Sequence, residues 1–368
     1  MGGREGLRPP STSRLTPWKA YEILTPPPFA APLQPDFHTI KGMIGYDKPS
    51  AHRSHPDRAA DRKETMSVLL IFVDGLGIGD DNPDLNPLGR AHTTHLQAAY
   101  GRLDAPALRA GALVVPTDAT LNVAGLPQSA TGQTTLLTGI NAAQKMGHHV
   151  HGFCNRALAG ILDGSSLFAR VRKGGGRATF ANAYTPEFFR GERRFLSVTT
   201  VAMKQAGLAF RDLGDLARGE AVYHDITNRG LRERGYDLPE VNPQEAGRRL
   251  ARLALSHDFT LYEHFQTDQA GHDRDMDRGV ELLERLDLLL GAVLEATDPD
   301  ELLVVLTSDH GNLEDLSTRT HTKNSVPTML WGTGREAVAN GVHTLADIAP
   351  ALLRHLRERG VINGLDHP

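Results

Sequence analysis

Apolar and polar positions follow two different periods along the chain. Ser67–Val73 is a short, almost wholly apolar run closed by Asp74-Gly75, the pattern of a strand buried on both faces. Leu302–Ser308, Phe259–Thr267 and Ala178–Ala183 repeat it, and Leu113–Pro116 and Met329–Trp331 are weaker versions. Helical spacing takes over in Asp277–Ala296, where Val280, Leu283, Leu286 and Leu290 share a face. Asn242 has the character of an N-cap, with Pro243 at N1 and Glu245 at N3, and opens a helix to about Ser256. Ser129 opens a short helix stopped by Gly139, and Leu167–Lys173 is a helix before the Gly174-Gly-Gly176 turn. Residues 88–110 are expected to be helical, and Thr344 caps a last helix ending at Gly360. Strands alternating with helices predict an α/β fold, a doubly wound and mostly parallel sheet.

Two stretches fall outside this alternation. Residues 1–65 hold 10 of the 22 prolines and carry a net charge of +3, and no apolar period survives in them. They are expected to be a disordered extension, with Met66 as an alternative start. Residues 184–241, rich in Arg, Gly and Asp, are expected to be a small inserted cap that begins as early as residue 147. The core is then 66–183 together with 242–364.

Composition narrows the function classes. The chain has 368 residues, 40% hydrophobic and 23% charged, with a net charge of -4. This is a globular balance without the basic excess of a nucleic-acid binder. Cys154 is the single cysteine, which rules out an intrachain disulfide and any thiolate-based metal site within the chain. The apolar runs fall far short of the ~20 residues that span a bilayer. The expectation is a soluble, cytoplasmic protein with neither nucleic-acid nor membrane partners.

The candidate chemistry lies at strand ends. The first strand delivers Asp74, the 259–267 strand delivers Asp268 with His272 four residues on, and the 302–308 strand delivers Asp309-His310. In an open parallel sheet, sites form beyond the carboxyl ends of strands. One Asp after a strand is an ordinary turn or cap residue; three, two of them paired with His, suggest ligands. Ser129 stands at a helix N-terminus, where backbone N–H groups and the helix dipole favour an anion. His321 lies in a polar loop. Asp74, Ser129, Asp309 and His310 suffice for one divalent ion, and Asp268, His272 and His321 for a second with a position open. Oxygen and nitrogen donors without sulfur favour Mn, then Zn. The His148, His149 and His151 loop is expected to be solvated or to face substrate. Gly75, Gly77 and Gly79 lack the following helix that a dinucleotide fingerprint requires.

These segments resemble the alkaline phosphatase superfamily of metalloenzymes, nearest the branch of cofactor-independent phosphoglycerate mutase and phosphopentomutase. The matching stretches are Val73-Asp-Gly-Leu-Gly-Ile-Gly79, Gln128-Ser-Ala-Thr-Gly132, Thr267-Asp-Gln-Ala-Gly-His272, Thr307-Ser-Asp-His-Gly-Asn312, Thr320-His-Thr-Lys-Asn-Ser-Val-Pro327 and Thr344-Leu-Ala-Asp-Ile-Ala-Pro350. The resemblance implies an alkaline phosphatase-like core, a nucleophilic Ser129 that forms a phosphoserine, and the same division of ligands between two metals. The chain departs from the mutases at Gly132-Gln133, where they commonly have Gly-His. About 135 residues between Ser129 and Asp268 leave no room for the mutase's large second domain. The implied function is phosphomonoester hydrolysis of a small phosphorylated metabolite. A phosphosugar or phosphoglycerate mutase, a phosphodiesterase or sulfatase, and a non-catalytic metal-binding protein are the alternatives.

Overall fold

The structure is a computed structural model and describes residues 66–191 and 195–363. The expected disordered extension, residues 1–65, lies outside the described residues. Seven strands form one sheet in the order β2-β3-β7-β6-β1-β5-β4. They are β1 (Ser67–Val73), β2 (Ala107–Arg109), β3 (Ala112–Thr117), β4 (Ala178–Phe180), β5 (Phe259–His264), β6 (Leu302–Thr307) and β7 (Val326–Trp331). Four strands on one side of the sheet, β6-β1-β5-β4 with β4 at the edge, run parallel, while β7 is antiparallel to both β6 and β3.

Between β3 and β4 the chain forms α1 (Ser129–Thr138), α2 (Ala142–Met146), α3 (Arg156–Leu162) and α4 (Leu167–Lys173). Between β4 and β5 come α5 (Pro186–Phe189), α6 (Val198–Gln205), α7 (Leu213–Ala217), α8 (Arg229–Glu233) and α9 (Pro243–Leu255). The helices α10 (Gln266–Asp273) and α11 (Met276–Glu295) precede β6, and α12 (Arg335–Ala339) and α13 (Leu345–Glu358) follow β7.

The alternation of β1 explains the layering. Val68, Leu70 and Phe72 enter one core with residues of α1, α4, α6 and α13. Leu69, Ile71 and Val73 enter a second core with residues of α9 and α11. A strand covered on both faces needs apolar residues at every position, and each of the seven in β1 is buried. The helix caps act as the sequence implies. Asn242 Oδ1 accepts the Glu245 N–H at 2.7 Å, and Thr344 and Asp347 form a reciprocal capping box.

Two expectations are corrected. Residues 88–110 are not a helix: they hold two 3-10 turns, Pro87–Gly89 and Leu96–Ala99, and then β2. The buried Asp287 carboxylate of α11 accepts the N–H groups of Thr94, His95 and Leu96 at 2.7–2.8 Å, which fixes this stretch as a turn. The 259–267 strand stops at His264, because Phe265 adopts a helical backbone and α10 begins at Gln266. Asp268 is therefore a first-turn helix residue and not the end of a strand.

The described residues of the 184–241 stretch include the short helices α5–α8. Leu216, Ala221, Tyr223 and Leu231 form a small apolar cluster with Ala183 just before the stretch. Arg211 anchors the stretch to β4, donating from Nε to Phe180 O and from Nη2 to Thr179 Oγ1.

Candidate metal centre

The seven residues singled out from the sequence converge at the carboxyl ends of β1, β5 and β6. Asp74 follows β1. Gly75 comes next with a φ of +73°, and a Cβ there would stand 2.8 Å from Asp268 Oδ1. Glycine alone lets this turn lie against α10. Asp268 and His272, four residues apart on α10, share a helix face, and His272 Nε2 is 3.3 Å from Asp268 Oδ2. Asp309 and His310 follow β6 and are wholly buried. Ser308 Oγ accepts the Leu76 N–H at 2.9 Å and donates to His310 O at 2.9 Å, joining the turns after β6 and β1. Ser129 opens α1, with its Oγ 3.0 Å from His310 Nε2. His321 arrives on the loop before β7 and stacks on His310 with ring centroids 3.7 Å apart.

Two donor groups result. Asp74, Asp309 and His310 form one, and Asp268, His310 and His321 the other. His310 stands between them, with Nε2 3.2 Å from Asp74 Oδ1 and 3.7 Å from Asp309 Oδ2. His272 joins the second group through His321, at 3.2 Å between their Nε2 atoms. Neither group includes His148, His149 or His151.

The hydrogen bonds around the imidazoles bear directly on metal binding. Nδ1 of His321 lies 2.7 Å from Pro127 O, and Nδ1 of His272 lies 2.8 Å from Arg319 O. A carbonyl only accepts, so each Nδ1 carries the hydrogen and each Nε2 turns a lone pair inward. Two lone pairs facing each other at 3.2 Å need a cation or a proton between them. The Asp74 Oδ1 atom is buried and, although His310 Nε2 stands 3.2 Å away, makes no hydrogen bond of adequate geometry. Leaving such an acceptor unpaired is costly, and a divalent ion would supply the missing partner.

The electrostatics agree. Burial, then the charges of Asp309 and Asp268, hold the Asp74 carboxyl well above its ordinary value. Burial and the Asp268 charge push Asp309 up to about 7. Burial also opposes ionisation of Asp268, but the His272 contact and the nearby imidazoles hold this carboxyl below its ordinary range. His321 is pushed down to about 4 by burial and by His310, so it is a neutral donor at pH 7. Burial opposes protonation of His272, yet its Asp268 partner raises it overall. Buried carboxylates that repel one another, beside the His310 and His321 imidazoles whose protonation burial opposes, form a donor set that suits a divalent cation.

Sequence reasoning noted Gln133 only as a departure from the mutases and gave no role to several other groups that shape the site. Gln133 Nε2 lies 3.4 Å from Asp74 Oδ2 and 3.3 Å from Asp309 Oδ2, bridging the two carboxylates. Asn312 donates through Nδ2 to Asp268 Oδ1 at 2.6 Å. Thr267 Oγ1 donates to Asp74 O at 2.6 Å. Glu263 on β5 is buried, and burial raises its carboxyl to about 7. A glutamate inside an apolar strand was a visible signal for the last; Gln133 and Asn312 were in view within the motifs.

Residues 233–358 match the profile of a family described as Metalloenzyme superfamily. That stretch includes Asp268, His272, Asp309, His310 and His321; Asp74 and Ser129 lie upstream, and the fold brings them alongside. Among particular relatives, the chain is 39% identical over 108 residues to the 2,3-bisphosphoglycerate-independent phosphoglycerate mutase of Methanopyrus kandleri. The match covers 26% of this chain and 25% of that mutase, so this chain spans about a quarter of the relative's length. The PH0037 protein from Pyrococcus horikoshii shares the fold, with a TM-score of 0.50 at 15% identity over 82% of this chain and 99% of that one. The alkaline phosphatase of the Antarctic bacterium TAB5 superposes with a TM-score of 0.44 at 13% identity, over 80% of this chain and 99% of that one.

Proposed function

We propose that this chain hydrolyses a small phosphomonoester with two divalent ions and a phosphoserine at Ser129. The observation that carries the proposal is the placement of Ser129 Oγ, 3.0 Å from His310 Nε2, at the N-terminus of a ten-residue helix. Asp74, Ser129, Asp309 and His310 would hold one ion, and Asp268, His272 and His321 the other, Mn in preference to Zn. When bound, the ions would neutralise charge on the transferring group and lower the pKa of a hydroxyl or water.

The chain's own groups supply the rest. The N-terminus of α1 turns its dipole toward a phosphoryl group beside Ser129. Ser129 Oγ gives up its proton to solvent and attacks phosphorus as the P–O bond to the ester oxygen breaks, the leaving oxygen taking a proton from water; a water then attacks the phosphoserine, the P–Oγ bond breaks, and phosphate leaves with the serine hydroxyl restored. The pinned Nδ1–H groups keep His272 and His321 in one tautomer throughout. Gln133 holds Asp74 and Asp309 together through a neutral amide. Gln133 in place of the mutases' usual His favours hydrolysis over migration of the phosphoryl group, because an amide does not exchange a proton near pH 7.

Phosphorus NMR of the Mn-loaded protein with ribose 1-phosphate, ribose 5-phosphate and 3-phosphoglycerate, against a chelated control, tests this. Metal-dependent release of free phosphate is the expected result. Phosphate moving between carbons of one compound would make the chain a mutase, like its named relative. Ser129→Ala is expected to lower turnover by roughly 1000-fold or more while metal is retained. Turnover that survives this substitution excludes Ser129 as the nucleophile.

A further inference from the structure

Glu314 has no part in the site described above, yet the ligand-bearing loops meet at its carboxylate. It lies four residues after His310 and is 2% exposed. Oε2 accepts the Gly77 N–H at 3.0 Å and the Asn312 N–H at 2.7 Å. Oε1 accepts Asn324 Nδ2 at 3.0 Å and the Thr322 hydroxyl through a short contact. Gly77 belongs to the turn that carries Asp74. Thr322 is the neighbour of His321. Asn312 follows Asp309-His310 and in turn donates to Asp268.

The surrounding glycines show that room is kept for this carboxylate. A Cβ on Gly77 would overlap the Glu314 carboxyl group, and one on Gly311 would overlap both Thr322 Oγ1 and Glu314 Oε1. The glycines of the Val73–Gly79 stretch therefore serve a close approach of side chains and not a nucleotide. Three of the four partners, two backbone N–H groups and an amide NH2, donate only. The arrangement thus suits a carboxylate whose two oxygens both accept. An amide whose NH2 faces Gly77 and Asn312 meets two backbone N–H donors, and in the reverse orientation it meets the Asn324 NH2 as it stands.

We infer that Glu314 is the positioning residue of the metal centre, setting the spacing of the Asp74, Asp309-His310 and His321 loops and, through Asn312, of Asp268. This rests on the two-ion reading of the site. Ligand-orienting partners of this kind typically account for about 10–100-fold in metal affinity.

The test is calorimetric titration of the full metal-free chain with Mn, together with the visible spectrum of the Co-loaded form. Glu314→Gln is expected to weaken binding at least tenfold and to shift the Co absorption bands. Thr322→Val removes one of the four hydrogen bonds without changing charge, and it decides the matter where Glu314→Gln fails to fold. It is expected to weaken binding in the same direction by a smaller factor. Asp287→Asn is the control: it loosens a buried carboxylate cap far along α11, so it should lower the melting temperature and leave metal affinity and spectrum unchanged. Unchanged affinity and spectrum in Glu314→Gln, or in Thr322→Val where it must decide, overturn this inference alone. Failure of the unsubstituted chain to bind metal saturably overturns the two-ion reading and this inference with it.

Discussion

Asp309 is buried behind Gln133 and His310, and its carboxyl is raised from 3.8 to about 7. His321, a few ångströms away, is lowered from 6.5 to about 4. The two shifts act on stability with opposite signs. A carboxyl with a raised folded pKa favours the folded state at low pH, and this contribution is lost as pH rises from about 4 to about 7. An imidazole with a lowered folded pKa favours it at high pH, and this contribution is lost as pH falls from about 6.5 to about 4. In the metal-free protein the two partly cancel. A bound divalent ion removes the carboxyl effect, because it takes the place of the proton. The gain in melting temperature on adding Mn is therefore expected to grow between pH 5 and pH 7 and to level off above. Asp309→Asn should flatten that dependence, and thermal melts across pH with and without metal check it.

At the scale of elements, α10 shows how one boundary changes a chemical argument. Asp268 and His272 were legible as candidate ligands from their types and their spacing of four. Their common direction comes from the helix, which begins earlier than strand periodicity suggests. Phe265 turns the chain, and Thr267 ties the new helix to the Asp74 carbonyl at the end of the neighbouring strand. The misread 88–110 stretch has a similar cause: Asp287 captures three of its N–H groups from a helix nearly 200 residues away. The pairing of α9 with α11 gives a prediction at this scale. A Cβ on Gly247 would overlap the Leu289 carbonyl and stand 2.8 Å from the Ala292 methyl, so glycine lets the two helices touch. Gly247→Ala is expected to cost about 1–3 kcal/mol by overpacking. Urea unfolding should show the loss, with turnover per folded molecule unchanged.

For the whole molecule, the metal centre joins parts of the chain that are far apart in sequence. Ser129 and His310 are separated by 181 residues, and the Leu76–Ser308 bond spans 232. A divalent ion binding such a set stabilises the folded state and has no comparable site in the unfolded chain. Chelation is expected to lower the melting temperature and abolish turnover, and Mn at 100 times its Kd should restore about 2.7 kcal/mol. A melting temperature indifferent to both chelator and Mn would count against a metal at this site.

The local periods of the chain determined the α/β class, the apolar strands β1, β5 and β6, and the caps at Asn242 and Thr344. Residue chemistry and spacing also singled out the seven candidate ligands: Asp74 and Asp309-His310 stand out directly after apolar strands, and Ser129, Asp268, His272 and His321 through the motifs that hold them. What surrounds those ligands was decided only by the tertiary structure. The Pro127 and Arg319 carbonyls that pin the imidazoles, the Gln133 amide between two carboxylates and the Glu314 junction leave no periodic trace. A hydrogen bond between loops distant in sequence depends on where the sheet brings their ends, and no local pattern encodes that distance.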